Sequence, residues 1–239
     1  MKLFTALGLI AAILVGCSGN SAVASPSSSA TPSPSSTATA SPATQTPDCV
    51  ALLGRLYAGG VGEGDDFSGA YLVDCDLSGA LLSEVNFSNA ILTGANLAGA
   101  ILTRTVFAGA TLTDANLTNA VAEMGIFTSA NLTRANFSGS DLSYADLSDA
   151  LLTDANLSIS MLNTTNFGGA DLVGANLTGA IFGATNLAAA NLTNANLSGA
   201  YLSDVDMSVA NFTNAIFTNA TYCEATMPDG TDSNDNCAP

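Results

Sequence analysis

Apolar side chains return at every fifth position over most of this chain. Residues 190–200 read ANLTNANLSGA, with leucines five positions apart. From Phe67 to Tyr222 the same register holds 32 positions, of which 20 are Leu, 9 are Phe and only Ala122 is small. In every repeat after the first, the residue two positions earlier is small, and it is Ala in 22 of 31 cases. A large apolar residue and a small partner therefore form one repeating unit of five residues.

Neither an α-helix nor a flat strand can bury this series on one side. Five residues advance an α-helix by about 140°, which scatters the leucines, and an odd step along a strand alternates faces. The large and small residues are two apart, however, so they share one face of a short extended segment. A turn after each segment would bring the next pair inward as well. The second position after the large residue favours that turn, because it is Gly ten times, Asn five times and Asp five times.

Columns of identical residues indicate how many units complete one coil. Four phenylalanines at 20-residue spacing begin at Phe67, and six asparagines at the same spacing run without a break from Asn96 to Asn196. Stacked repeats place identical positions above one another, whereas a three-sided coil would mix these columns. The spacing predicts a square tube with four pentapeptides per coil, about eight coils and a length of about 38 Å at ~4.8 Å per rung.

The pattern resembles the A(D/N)Lxx motif of the pentapeptide repeat family over residues 66–223. The resemblance implies an all-β fold, the right-handed quadrilateral β-helix. The handedness comes from the family and not from the spacing. In such a solenoid each coil contacts only its neighbours, so stability is expected to be nearly a sum over adjacent coils.

The two open ends of such a stack need covers. Residues 47–58 predict a short capping helix, because a proline opens the segment and two glycines follow it. We assign 47–65 to this N-terminal cap and 224–239 to a C-terminal tail, in which Pro228 and Gly230 favour a turn. The MPDG stretch of the tail is similar to the endings of cyanobacterial pentapeptide repeat proteins.

Four cysteines beyond the leader allow three pairings. Cys49 and Cys75 lie at one end of the predicted tube and Cys223 and Cys237 at the other. The ends are about 34 Å apart at ~4.8 Å per rung, a distance that a disulfide cannot span. We therefore expect disulfides 49–75 and 223–237, each fixing one end; the alternative is that all four are unpaired small core residues.

The N-terminus has the features of an export signal. Residues 1–16 combine one basic residue with an apolar run that is too short to span a membrane comfortably. The run ends in LVGC, which resembles the lipobox of bacterial lipoproteins and implies lipidation of Cys17; an ordinary signal peptide cut elsewhere is the alternative. Residues 17–46 are rich in Ser, Thr, Pro and Ala, a composition typical of a disordered tether. The expected location is the cell envelope, on the outer face of a membrane, in the periplasm or at the cell surface.

Groups that could perform chemistry are sparse. The chain has no His, its only Lys is Lys2 in the leader, and 20 acidic residues against 4 basic ones give a net charge of −16. Without a tunable base or an uncommitted nucleophile we predict no enzymatic activity and no catalytic residue. Zinc-ligand spacing and phosphate loops are missing from the sequence, and the acidic charge disfavours phosphate contacts. We therefore expect no metal, no cofactor and no direct nucleic-acid binding.

One wall of the predicted tube is apolar at its outward position, directly before the large residue. The series is interrupted by Asp141 and ends at Thr221. An exposed apolar stripe indicates a contact surface, although β-branched residues also favour exposed rungs for structural reasons, and the C-terminal tail could cover the stripe instead. The candidate interface residues of this apolar wall are Leu81, Ile101, Val121, Met161, Ile181 and Tyr201.

These observations predict a non-enzymatic structural or protein-interaction scaffold at the cell envelope. Its partners would be a membrane, through the lipid anchor, and an unidentified protein or a second copy of the chain in a homodimer. One alternative comes from the family, some of whose members resemble DNA in shape and charge and bind a topoisomerase; the export signal argues against it, because gyrase is cytoplasmic. The other is an ice- or cation-binding surface, suggested by a threonine column from Thr93 to Thr213 and the oxygen-rich segment 229–236.

Overall fold

The computed structural model describes residues 48–57, 61–62, 64–233 and 237. All of them belong to one compact unit of the chain, Ala40–Pro239. The predicted signal peptide, Cys17 and the tether lie outside the described residues.

Parallel pairing joins residues 20 positions apart throughout the repeat region. Outward residues bridge the outward residues of the next coil, from Asp66 with Asn86 to Asp206 with Thr226, except between Asn186 and Asp206. Four pentapeptides therefore complete one coil, which is the spacing that the Phe and Asn columns predict.

Regular strands are short and occur toward the C-terminus. β1 (Ile181–Gly183), β2 (Tyr201–Ser203) and β3 (Thr221–Cys223) form a parallel sheet in that order. β4 (Ala225–Thr226) and β5 (Asp232–Ser233) pair antiparallel. Elsewhere in the described repeats each wall is a column of single bridges, because every pentapeptide turns a corner after its extended residues.

Backbone hydrogen bonds hold the coils together. In the pentapeptide 91–95, the N–H groups of the first, second and fourth residues donate to carbonyl oxygens of adjacent coils at 2.9, 2.7 and 2.9 Å. The N–H of the fifth residue donates across the corner to the oxygen of Leu92 at 3.0 Å. Three of the five N–H groups thus link coils and one closes a turn, so the ladder is satisfied without long strands.

The fourth residue of the pentapeptide makes the corner by adopting a positive φ. Gly94 has a φ of 67° and Asp114 a φ of 59°. A positive φ at the third residue of a four-residue turn is the mark of a type II turn, and it favours Gly and then Asn or Asp. The preference for Gly, Asn and Asp at this position follows from that geometry.

The inward residues form one continuous apolar core, which is fully buried through most coils and only partly buried at Phe67 and at Phe212 and Phe217 near the C-terminal end. The rings of Phe67, Phe87, Phe107 and Phe127 stack one above another, with centroids 5.7, 5.4 and 5.0 Å apart. Polar residues at the small inward position are satisfied internally; the Thr105 hydroxyl, for example, donates to the carbonyl oxygen of a leucine in the preceding coil at 2.7 Å. No buried side-chain nitrogen or oxygen lacks a hydrogen-bond partner among the described residues.

The lapse in the leucine series at Ala122 lies beside an unusual aromatic cluster. Phe127 meets Phe137 edge-on at 5.9 Å, whereas it stacks flat on Phe107. A Cβ added to Gly125 would lie 2.9 Å from Cε2 of Phe127. The Phe127 ring therefore occupies the space that a larger inward pair would need at this rung.

Among the described residues before the first coil there is one helix, α1 (Cys49–Tyr57), which lies within the predicted bounds of 47–58. Its Leu52 is fully buried in the same apolar core as the repeats. Asp48, just before the helix, makes two hydrogen bonds to Tyr71, as a neighbouring strand would. Its N–H donates to the Tyr71 carbonyl oxygen at 2.8 Å, and its carboxylate accepts the Tyr71 N–H at 3.1 Å. Arg55 pairs with Asp65. These contacts occupy the N-terminal edge of one wall, which the sequence did not reveal.

The ladder continues one rung beyond the predicted boundary at residue 223. Thr226 bridges Asp206, and the chain then reverses, with the Met227 N–H donating to the Thr231 oxygen at 2.7 Å. β5 returns along β4 and occupies the open edge of that wall, an arrangement that hinders strand addition there. These tail residues follow the wall of Asp206 rather than the apolar wall.

Both disulfides expected from the sequence are bonded in the structure. Cys49 joins Cys75 with a Cα–Cα distance of 5.7 Å, and Cys223 joins Cys237 with 4.9 Å. The first ties α1 to the first coil, and the second ties the tail to the last rung of the apolar wall.

Candidate interaction surface

In each pentapeptide one backbone N–H remains after the four described above, namely that of the residue following the inward Leu or Phe. The outward residue determines whether a side chain accepts a hydrogen bond from this N–H. The Thr133 N–H donates to Oδ1 of Asn131 at 3.1 Å, and the Ser158 N–H donates to Oδ1 of Asn156 at 3.2 Å. A short Asn or Asp side chain reaches this N–H locally, which gives the physical reason for the D/N place in the repeat motif.

The asparagine wall, the outward column from Asp76 to Asn196, uses its side chains to hold the coils. The amide of Asn156 donates to Oδ1 of Asn136 at 3.0 Å, and the amide of Asn176 donates to Oδ1 of Asn156 at 3.0 Å. Each oxygen also accepts the local backbone N–H. The polar groups of this wall are therefore largely committed to the structure.

All six candidate interface residues lie on one uninterrupted ladder, the apolar wall. Only Asp141 breaks their apolar character before Thr221 ends the column. Leu81 is 67% exposed, Met161 and Ile181 are 39% and 40% exposed, and the remaining members are 36% exposed or half-buried. The structure thus brings the predicted residues together on the surface.

Three exposed apolar side chains beside this wall were missed from the sequence. Met124 is 38% exposed, Tyr144 56% and Ile159 64%. They occupy corner positions, where Gly, Asn and Asp predominate, so a large apolar residue at a turn was the available signal. With these three, seven of the thirteen most exposed large apolar residues in the described chain lie on the apolar wall or its corners.

An apolar outward residue removes the acceptor that Asn or Asp supplies elsewhere. Leu81, Ile101 and Met161 cannot accept the N–H two residues further on, whereas Asp141 accepts the Ser143 N–H at 2.9 Å. One such hydrogen bond contributes about 0.5–1.5 kcal/mol. The apolar residues on this wall therefore lack a stabilising hydrogen bond that Asn or Asp would supply.

Hydrogen bonds keep several outward carboxylates charged. The pKa of Asp66 is lowered from its usual value of 3.8 by the backbone N–H and hydroxyl of Ser68. The pKa of Asp76 is lowered by the hydroxyl and backbone N–H of Ser78, with a further contribution from Asn96. Carboxylates held in this way are poor general acids at neutral pH.

The described residues assemble neither a metal cluster nor a membrane span. In the ranges given above, no three His, Cys, Asp or Glu side chains are grouped so that they could hold a metal ion. No helix there combines the length and apolar character needed to cross a bilayer. In the threonine column, the hydroxyls of Thr133 and Thr193 donate to Asn131 and Asn191 at 2.8 and 2.7 Å, so they serve the repeat itself.

The fold is a β-solenoid, and its candidate functional site is an exposed surface, the apolar wall, rather than a cleft. The sequence profile described as Pentapeptide repeats matches the chain in eight copies, covering residues 66–97, 90–121, 130–169, 162–193, 170–208 and 180–219. The chain therefore belongs to the pentapeptide repeat family. Members of this family fold as right-handed quadrilateral β-helices and are generally non-enzymatic structural or interaction proteins.

Several solved structures are similar to this chain. HetL, a pentapeptide repeat protein involved in heterocyst differentiation regulation in Nostoc sp. strain PCC 7120, is 24% identical, with 76% of this chain and 98% of HetL covered and a TM-score of 0.26. Rfr23 from Cyanothece 51142 is 37% identical over 41% of this chain and 59% of its own, with a TM-score of 0.25. Full-length QnrB1, a plasmid-mediated fluoroquinolone resistance protein, is 21% identical over 72% and 83%, with a TM-score of 0.31. No protein of curated function matches the chain.

Proposed function

We propose that this protein is a non-enzymatic interaction scaffold of the cell envelope, with the apolar wall as its contact surface. In this proposal residues 1–16 direct export, Cys17 carries a lipid anchor, and 17–46 tether a stack of about eight coils. α1 covers the first coil, and the two disulfides, which the oxidising environment outside the cytoplasm favours, fix the ends.

The uneven distribution of outward side chains supports this proposal. The asparagine wall uses its side chains for backbone and rung-to-rung hydrogen bonds, whereas the apolar wall forgoes them. Asn at Ile101 or Ile181 would add a hydrogen bond and remove exposed apolar area, so a wall that served stability alone would carry Asn. Contact with another molecule accounts for the aliphatic residues, because continuous exposed apolar surface marks interaction sites.

The test is a double substitution of Ile101→Asp with Ile181→Asp. Asp141 shows that an aspartate fits this column and accepts the local N–H, so the fold should be unchanged by circular dichroism. Capture of proteins by crosslinking and pull-down from the envelope fraction, or self-association in sedimentation, should be lost. The matched control is Ile91→Asp with Leu151→Asp, at outward positions of another wall. This control should leave protein capture and self-association unchanged. Identical capture and sedimentation by the apolar-wall variant would overturn the proposal.

The anchor is tested separately. Cys17→Ala should move the protein from the membrane fraction to the soluble exported fraction, because it removes the thiol that would carry the lipid. Unaltered membrane association in that variant would contradict anchoring through Cys17.

A second candidate function is that of an acidic DNA mimic that binds a topoisomerase. The net charge of −16 favours it, and the export signal predicted from the sequence weighs against it. A protein lacking residues 1–47 should leave gyrase supercoiling unchanged if the envelope scaffold is correct. Protection of gyrase from quinolone inhibition at stoichiometric concentration would support the mimic instead.

A further inference from the structure

We propose that the apolar wall docks a basic amphipathic protein helix, centred on Ile159 and Met161. This inference rests on the proposed function, since it assigns a partner chemistry to the same wall. The docking surface, here called the apolar patch, consists of Met124, Tyr144, Ile159, Met161, Ile181 and Tyr201.

Ile159 is the residue that points most directly to a ligand. It has a φ of 52°, at a corner where Gly, Asn and Asp predominate. A β-branched residue in this region is an outlier, since its Cβ crowds the backbone. Because Ile159 is 64% exposed, burial within the chain does not offset that strain. Strained residues of this kind persist where they serve function.

The surroundings of Ile159 leave it standing above the surface. The corner residues one coil before and one coil after it are Gly139 and Gly179. A Cβ on Gly179 would lie 3.2 Å from Cγ2 of Ile159, and one on Gly139 would lie 3.9 Å from its Cδ1. The Ile159 side chain therefore lies between two corners that carry no side chains, and its exposed side can contact a partner.

The patch has the length of a short helix. Met161 bridges Ile181, which pairs in register with Tyr201, and Tyr144 and Met124 lie on the preceding coils. Four rungs at ~4.8 Å extend about 19 Å. About 13 residues of α-helix, at ~1.5 Å each, cover the same distance. An amphipathic helix laid along the tube would therefore match the patch from end to end.

The charges around the patch select a basic partner. The outward positions and corners of the apolar wall carry one basic residue, Arg104, and four acidic residues: Glu84, Asp141, Asp204 and Glu224. That arginine is already paired with Glu84 at 3.2 Å. The surplus of acids, together with a chain charge of −16, repels anionic lipid, nucleic acid and a second copy of the chain, and attracts Lys and Arg flanking an apolar stripe.

Defined peptides test this inference on the full protein. The probe is a fluorescent 14-residue peptide of Leu and Lys in amphipathic helical order, with a Leu–Glu counterpart and a scrambled Leu–Lys sequence as controls. Anisotropy should show binding of the ordered Leu–Lys peptide at least tenfold tighter than that of either control, with weaker binding at high salt.

The decisive variant is Ile159→Gly. Gly adopts a positive φ without strain, so the unfolding midpoint should rise while the affinity for the Leu–Lys peptide falls about tenfold. Leu151→Asn, on another wall, should leave the affinity unchanged. Equal binding of the ordered and scrambled peptides, or unchanged affinity in Ile159→Gly, would overturn the inference.

These failures remain distinguishable from failure of the proposed function. If the peptide does not bind but Ile101→Asp with Ile181→Asp still abolishes capture from the envelope, the wall is an interface and the basic-helix partner is wrong. If sedimentation shows a dimer that Ile159→Gly disrupts, the occupant is a second copy, which also overturns the inference.

Discussion

Restoring the common residue at Gly125 is expected to destabilise the protein. Ala fills this inward position in most repeats, and Gly→Ala at an unstrained site stabilises by about 0.4–1 kcal/mol. An added Cβ at Gly125 would lie 2.9 Å from Cε2 of Phe127 and 3.0 Å from the Ala122 oxygen. Phe127 has little room to yield, because it stacks on Phe107 at 5.0 Å and meets Phe137 edge-on at 5.9 Å. Overpacking of this kind costs about 1–3 kcal/mol, so the net effect has the opposite sign.

Thermal and urea unfolding followed by circular dichroism measure this effect. Each kcal/mol should lower the midpoint by about 2–4 °C for a domain of this size. Phe127→Leu supplies the control, since Leu147 and Leu187 occupy the same column. Gly125→Ala should cost less in the Phe127→Leu background, and the difference measures the contact between the two sites. A raised midpoint for Gly125→Ala alone would refute the packing argument.

Three further perturbations test other contacts. Hydrogen bonds from Ser78 lower the pKa of Asp76 below 3.8. The ionised Asp76 therefore stabilises the folded protein above pH 3.8, and this stabilisation is lost as the pH falls through the lower pKa of the folded state. Asp76→Asn should accordingly lose less stability than the wild type when the pH is lowered below about 4. Asn156→Leu should cost about 1.5–4.5 kcal/mol in urea unfolding, because it removes three hydrogen bonds, one to the backbone and two between rungs, each contributing about 0.5–1.5 kcal/mol. Cys49→Ser with Cys75→Ser opens a 26-residue loop and should cost about 3.5 kcal/mol by calorimetry in the chain-entropy relation.

Each of these has a result that would contradict it. If Asp76→Asn and the wild type lost the same stability in acid, protonation of Asp76 would not contribute to acid unfolding. The matched control for Asn156→Leu is Leu151→Asn, which creates an outward Asn on another wall; a larger loss in the control would reverse the argument on outward residues. Unchanged stability of the cysteine variant under non-reducing conditions would show that the disulfide does not constrain the unfolded chain.

Most of the architecture was predictable because the repeat is written into every pentapeptide. The Phe column fixed the 20-residue step, and the stacked rings of Phe67 to Phe127 show why a column identifies a coil. The length of the tube excluded pairing between its two ends, which left the pairs 49–75 and 223–237 or four free thiols, and the structure shows the two pairs. What could not be predicted depends on contacts between distant residues, such as the double hydrogen bond of Asp48 to Tyr71.

The candidate surface was predictable only in part, for a related reason. The outward column of the apolar wall is regular, so its members from Leu81 to Tyr201 could be picked out by counting. Ile159 belongs to a corner column, and its strain and isolation depend on its φ and on glycines 20 residues away. Periodicity predicts the environment shared by the residues of a column, whereas the proposed docking site depends on a residue, Ile159, that differs from the rest of its column.

Site-specific photo-crosslinking in cells tests the central claim most directly. A benzophenone side chain placed at Met161, on the apolar wall, should form an adduct with a protein partner in the envelope. The same group placed at Leu151, on the wall opposite the apolar wall, should form none. Adducts of equal yield from both positions, or an adduct from Leu151 alone, would contradict the claim that the apolar wall is the contact surface.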